Sequence, residues 1–200
     1  MSFILASSSP RRQELLARFG IQFEVKVVPA PESVKGVPVK VAENNALAKA
    51  FAVANSLDSY DIILAADTIV VLDNQILGKP RNESDAYQTL RLLSGQEHSV
   101  ITGVALLLPK QEPRVFHEET IVKFRKINDE EIKTYIKTKE PLDKAGSYGI
   151  QGIGGMFVES INGCYFNVVG LPMPRLALEL RSIGIDVIKL AAQGRFQEVN

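Results

Sequence analysis

Residues 61–66, Asp-Ile-Ile-Leu-Ala-Ala, form an apolar run with no alternating polar positions, a pattern that predicts a strand buried on both faces at the centre of a sheet. Such a strand needs a layer packed on each side of it, which points to an α/β architecture. Asp67 and Thr68 follow at once. A charge directly after a buried strand is predicted to lie at its carboxyl end, where open α/β sheets place their ligands.

The flanking patterns fit that centre. Residues 3–6 read as a short buried strand, and 11–19 as a helix with Leu15, Leu16 and Phe19 on one face and Gly20 as its stop. Phe23, Val25 and Val27 alternate as a strand, and 39–57 carries a helical stripe through Val41, Leu47, Ala50 and Phe51, with Lys49 beside it. Asp73-Asn74 between 69–72 and 75–77 predicts a hairpin turn. Asn82 is the expected cap of a helix with Glu83 and Asp85 in its first turn, stopping at Gly95. Residues 98–108 and 114–124 read as antiparallel strands, and Asn128 and Glu131 have capping-box spacing. A loop is expected over 140–146, a strand over 156–161 and a last helix over 171–183. The whole reads as one domain of two lobes over 1–190, with a polar tail over 191–200.

The start of the first helix is unusual. Ser9 suits the cap and Pro10 the first helical position, yet Arg11 and Arg12 follow in the first turn. There the positive end of the helix dipole costs each cation about 0.3–1 kcal/mol. The helix after Asn82 obeys the dipole rule with acids, so the exception looks purposeful. An anion would reverse its sign: free amides, the hydroxyls of Ser7, Ser8 and Ser9, and two guanidiniums make a phosphate cradle. The plainer reading is a capped helix whose arginines point into water.

Twenty-three basic and twenty-three acidic residues cancel, which disfavours a nucleic-acid binder, because such binding draws on a basic excess. Basic residues are also not interleaved with aromatic ones. Cys164 is the single cysteine, so neither an intrachain disulfide nor a cysteine zinc site can form. No run approaches a membrane span and the opening apolar stretch is too short for a signal peptide, so a cytoplasmic protein is expected. His98 and His117 lack partners at ligand spacing and fall outside the chemistry. The glycines of 146–155 fit neither the dinucleotide fingerprint nor a P-loop. Glu32 lies on a stretch broken by Pro29, Pro31, Gly36 and Pro38.

Taken together, Ser7-Ser8-Ser9-Pro10-Arg11-Arg12, Lys49-Ala50, Ala66-Asp67-Thr68, Gly78-Lys79-Pro80, Leu93-Ser94-Gly95, Thr102-Gly103, Glu140-Pro141, Lys144-Ala145-Gly146, Ile150-Gln151-Gly152 and Gly170-Leu171-Pro172 occur in the order of a known family. The chain resembles the Maf proteins, nucleoside triphosphate pyrophosphatases, over nearly its whole length. The resemblance implies an α/β fold with a long twisted mixed sheet flanked by helices and two lobes around a central cleft, similar to the ITPase-like fold. It also implies a homodimer, and hydrolysis of a nucleoside triphosphate to the monophosphate and pyrophosphate with Mg²⁺ or Mn²⁺. Arg11, Thr68 and Gln151 match the branch acting on dTTP and UTP, extending to modified pyrimidine nucleotides. The branch favouring 7-methyl-GTP carries an aromatic residue, glutamine and glutamate there.

In that setting Ser7, Ser9, Arg12, Lys49 and Lys79 are expected to bind the triphosphate, Glu32 and Asp67 to hold the metal, and Asp67 to deprotonate the attacking water. Attack at the α-phosphoryl group is implied by the resemblance alone. Two positions depart from the family pattern. Pro31-Glu32 stands where paired acids are frequent, and Asn44-Asn45 where a basic and an apolar residue are common; the second departure is expected to affect the helix more than the chemistry. The rival reading is a nucleotide-binding regulator of cell division without turnover, in line with the family's link to septum formation.

Overall fold

In the computed structural model, which describes residues 3–190 and Ala192, the polar tail expected over 191–200 otherwise lies outside the described residues. The strands are β1 (Phe3–Leu5), β2 (Glu24–Val25), β3 (Ile62–Leu72), β4 (Gln75–Leu77), β5 (Glu97–Leu107), β6 (Arg114–Phe124) and β7 (Val158–Asn162). They form one mixed sheet in the order β2-β1-β3-β5-β6-β7, with β4 paired to β3. β1 is parallel to β2 and β3, whereas the β3–β4, β3–β5, β5–β6 and β6–β7 pairs are antiparallel. The helices are α1 (Pro10–Arg18), α2 (Pro38–Ala54), α3 (Glu83–Leu93), α4 (Asp129–Lys137), α5 (Tyr165–Val169), α6 (Met173–Ser182) and α7 (Val187–Leu190).

Strand alternation decides which helix covers which face. Ile63 and Ala65 of β3 and Ala105 and Leu107 of β5 pack against Ala46, Ala50 and Val53 of α2. The other face carries two groups of helices. Leu64 and Leu106 meet α1 and α6 through Leu15, Leu16, Leu176 and Leu180, while Val70, Val100 and Val122 meet α3 and α4 through Leu90, Leu93, Ile132 and Ile136. A cleft opens between those groups.

Several local expectations are met. Asp73 and Asn74 take positive φ of 49° and 64°, as a two-residue hairpin turn requires. The Asn82 side chain accepts from the Asp85 N–H, and Asn128 and Glu131 cap each other reciprocally. α2 ends at Ala54 and α6 begins at Met173, inside their expected bounds, and the loop near 140–147 contains short 3-10 turns. Among the described residues no helix is long and apolar enough to cross a membrane.

One expectation is corrected. Asp67 does not end its strand: β3 runs on to Leu72, with Asp67 opposite Gly103 and Thr68 opposite Thr102 in β5. What changes at Asp67 is the neighbour on the other edge. β1 lies along 62–64 and β4 along 70–72, leaving a gap in that edge where Asp67 and Thr68 sit. The ligand-side carboxyl end is that of β1, from which Ser7–Arg12 emerges.

Candidate active site

The gap opens into a cleft of about 660 Å³, lined among others by Ser7, Ser9, Arg11, Arg12, Glu32, Lys49, Asp67, Thr68 and Lys79. Because neighbouring residues on a strand face opposite ways, Asp67 joins the α2 side of the sheet and Thr68 the side of α1.

On the α2 side, Gly103 determines how closely the helix approaches. A Cβ there would stand 2.3 Å from the backbone C and O of Ala42, so only glycine lets α2 lie this near β5. Asn45 and Lys49, one turn apart on the same helix face, then reach Asp67. Lys49 Nζ donates to Asp67 Oδ1 at 2.5 Å and stands 2.8 Å from Glu32 Oε1. The Asn45 amide donates to Asp67 Oδ2 at 2.9 Å and to the Ser33 carbonyl at 2.9 Å, and its oxygen accepts from the Ser33 N–H at 2.8 Å. Asn45, expected to concern the helix more than the chemistry, contacts Asp67 and Ser33; a polar side chain at a helix position that faces the sheet was the signal, and its spacing to Lys49 was legible.

On the other side, Arg12 is buried and donates through Nε to the Gly170 carbonyl at 2.8 Å, through Nη1 to Ser7 Oγ at 3.0 Å and through Nη2 to Thr68 Oγ1 at 3.0 Å. All three acceptors are neutral. Burial pulls the guanidinium down to about 10, Asp67 raises it, Arg11 lowers it and Glu32 raises it, so it stays charged at neutral pH. A buried charge satisfied by neutral dipoles keeps its attraction for an anion. Thr68, which matches the dTTP/UTP branch, has its hydroxyl engaged with Arg12 and, at 2.9 Å, with Thr102 Oγ1, which in turn donates to the Asn167 carbonyl. Ser9 occupies the cap position of α1, but its hydroxyl makes no capping bond; its N–H donates to Ser7 Oγ instead.

The remaining residues lie around the rim. Arg11 is partly buried in the cleft wall and Lys79 is exposed on the segment after β4. Gln151 is exposed, one residue beyond Ile150, and does not itself line the cleft. Lys144, to which sequence reasoning gave no role, lines the cleft with its ammonium anchored to the Glu140 carbonyl and to Asp143 Oδ1. Burial pushes the Asp143 carboxyl up, but Lys144 and, across the cleft, Arg11 hold it below the usual range. Glu140 serves its own loop. Burial raises it, yet the Gly154 N–H, the Tyr135 hydroxyl and the Ile153 N–H more than offset that, and it is held low.

Comparison with known proteins gives matches to one family and to several named relatives. A profile of the family described as Maf-like protein matches residues 2–183. A relative named dTTP/UTP pyrophosphatase from Bacillus cereus (strain G9842) is 50% identical over 92% of this chain and 96% of its own length. One of the same name from Ruminiclostridium cellulolyticum is 47% identical over 94% and 99%. Among solved structures, a nucleoside-triphosphatase, dITP/XTP pyrophosphatase, from Mycobacterium abscessus aligns at a TM-score of 0.46 with 17% identity, over 92% and 95% of the two chains.

Proposed function

This chain belongs to the Maf-like protein family, and from that premise we propose that it hydrolyses dTTP and UTP to the nucleoside monophosphate and pyrophosphate. The observation that carries the reading is the single cleft in which Arg12, charged and held by neutral oxygens, stands beside the Glu32–Lys49–Asp67 cluster. A triphosphate carries about four negative charges near neutral pH, and such a ligand needs convergent cations that are not already neutralised.

The donor set fits a divalent cation. Glu32 and Asp67 share Lys49 as a partner, so two hard oxygen ligands already converge on one positive charge. Magnesium and manganese typically take one or two carboxylates plus phosphate oxygens. Glu32 and Asp67 would hold such an ion, with phosphate oxygens and water supplying the rest of its shell. When bound, the ion neutralises charge on the phosphates and on the leaving pyrophosphate.

The protein's own residues do the rest. Arg12, Lys49 and Lys79, with the amides of α1 and the hydroxyls of Ser7 and Ser9, hold the phosphates. Asp67 accepts a proton from a water whose oxygen bonds to the α-phosphorus, while the bond from that phosphorus to the bridging oxygen breaks and pyrophosphate departs. Arg11 and Gln151 select the base from the rim; a carboxamide can match the O4 and N3–H edge of thymine or uracil, which an ionised glutamate cannot. Thr68 contributes by holding Arg12. The test is product analysis with dTTP, UTP, CTP, GTP and 7-methyl-GTP in the presence of Mg²⁺ or Mn²⁺. Pyrophosphate from dTTP and UTP is expected, with a loss of several orders of magnitude in Asp67→Asn. No product from any nucleotide would favour the regulator reading instead.

A further inference from the structure

Asn45 is a buried polar side chain, 4% exposed, beside Ala46, Ala50 and Val53 of α2, which pack on the sheet. Its carboxamide makes three hydrogen bonds: two form a closed pair with the Ser33 peptide unit, and the third goes to Asp67 Oδ2. Ser33 directly follows Glu32. One amide therefore ties the backbone beside Glu32 to the carboxylate of Asp67, while Lys49 bridges the same two acids one turn further along the helix.

We infer that Asn45 is a positioning residue for hydrolysis, fixing both the placement of Glu32 relative to Asp67 and the oxygen with which Asp67 acts. With Oδ2 tied to the buried amide, Oδ1 is the oxygen left for the reacting water once the Lys49 ammonium turns its charge to phosphate. A carboxylate free to rotate would present either oxygen, and hydrolysis requires a geometry held to well under 1 Å. The 29–38 segment contains Pro29, Pro31, Gly36 and Pro38 and has no helix or strand before Pro38, so the Asn45 clamp is what registers Glu32 against the sheet.

This inference rests on the proposed hydrolase reading, and the experiment separates the two. Asn45→Leu keeps the branching and nearly the volume of the side chain but removes all three hydrogen bonds; Asn45→Ala is the second variant. For each, kcat and KM for dTTP are measured alongside the thermal midpoint. The expected result is a fall in kcat of at least tenfold in folded protein, with KM within about threefold of wild type, since the phosphate-binding residues Arg12 and Lys79 are untouched. A lowered midpoint with kcat reduced by less than tenfold, a loss accounted for by a rise in KM, or failure of both variants to fold would make Asn45 merely structural and overturn the inference. Absence of hydrolysis in the wild type would instead overturn the hydrolase reading.

Discussion

Two buried ionisable side chains, Arg12 and His98, respond to burial in the same direction with opposite outcomes. Arg12 is pulled down only to about 10 and remains a cation, whereas burial pushes the His98 imidazole from 6.5 down to about 4 and keeps it neutral at pH 7. His98 packs edge-on to Phe124 and shares a hydrogen bond of 2.9 Å with the Tyr148 hydroxyl. Between pH 6.5 and 4 the unfolded chain binds a proton that the folded one refuses, so stability is present above that window and is lost as the pH falls through it. From pH 7 to pH 5 the loss is about 2 kcal/mol from this residue. Urea unfolding at the two pH values should show it, with a shallower dependence in His98→Gln; equal dependences would assign the acid sensitivity to carboxylates. At this scale the sequence revealed which residues carry charge at the site but not their partners. By local position Arg12 and Arg11 are indistinguishable as neighbours in a helical first turn; the family resemblance assigned them different roles, and the tertiary contacts to Ser7, Thr68 and Gly170 mark Arg12 as the buried guanidinium.

Helices and turns were legible because their signals are local. The Asp73-Asn74 turn, the Asn82 cap and the Asn128–Glu131 capping box each depend on residues within four positions of one another. The site depends instead on where strands stop relative to one another. Asp67 lies mid-strand in β3, and the gap in the sheet edge beside it is made by the ends of β1 and β4, which no periodicity within 61–72 encodes. Gly103 is the complementary case, a glycine inside a β-rich run whose meaning lies in α2. Gly103→Ala should force the helix off the sheet, lowering stability by about 1–3 kcal/mol as overpacking does. It should also reduce dTTP hydrolysis in the folded protein, by displacing Asn45 and Lys49 from Asp67. Unchanged turnover would show that the close approach serves packing alone.

For the whole molecule, zero net charge conceals a local imbalance. Five basic side chains line the cleft, Arg11, Arg12, Lys49, Lys79 and Lys144, against three acids, Glu32, Asp67 and Asp143. Composition ruled out a uniformly basic surface but could not locate this excess, because its members are spread over more than 130 positions of sequence. The kcat/KM for dTTP should therefore fall as salt rises from about 0.1 M to about 1 M, which shortens the screening length from about 10 Å to about 3 Å. Invariance would place recognition in short contacts rather than in the field of the cleft. Arg12 also has a bearing on how the chain comes to work during synthesis. Its Nε–H is satisfied by the carbonyl of Gly170, 158 residues later. A chain emerging from the ribosome can thus build β1, α1 and most of the sheet while this guanidinium still lacks one of its acceptors. The guanidinium gains its full set of acceptors only when the segment that ends α5 packs beside α1, so the anion site depends on a contact between distant parts of the chain.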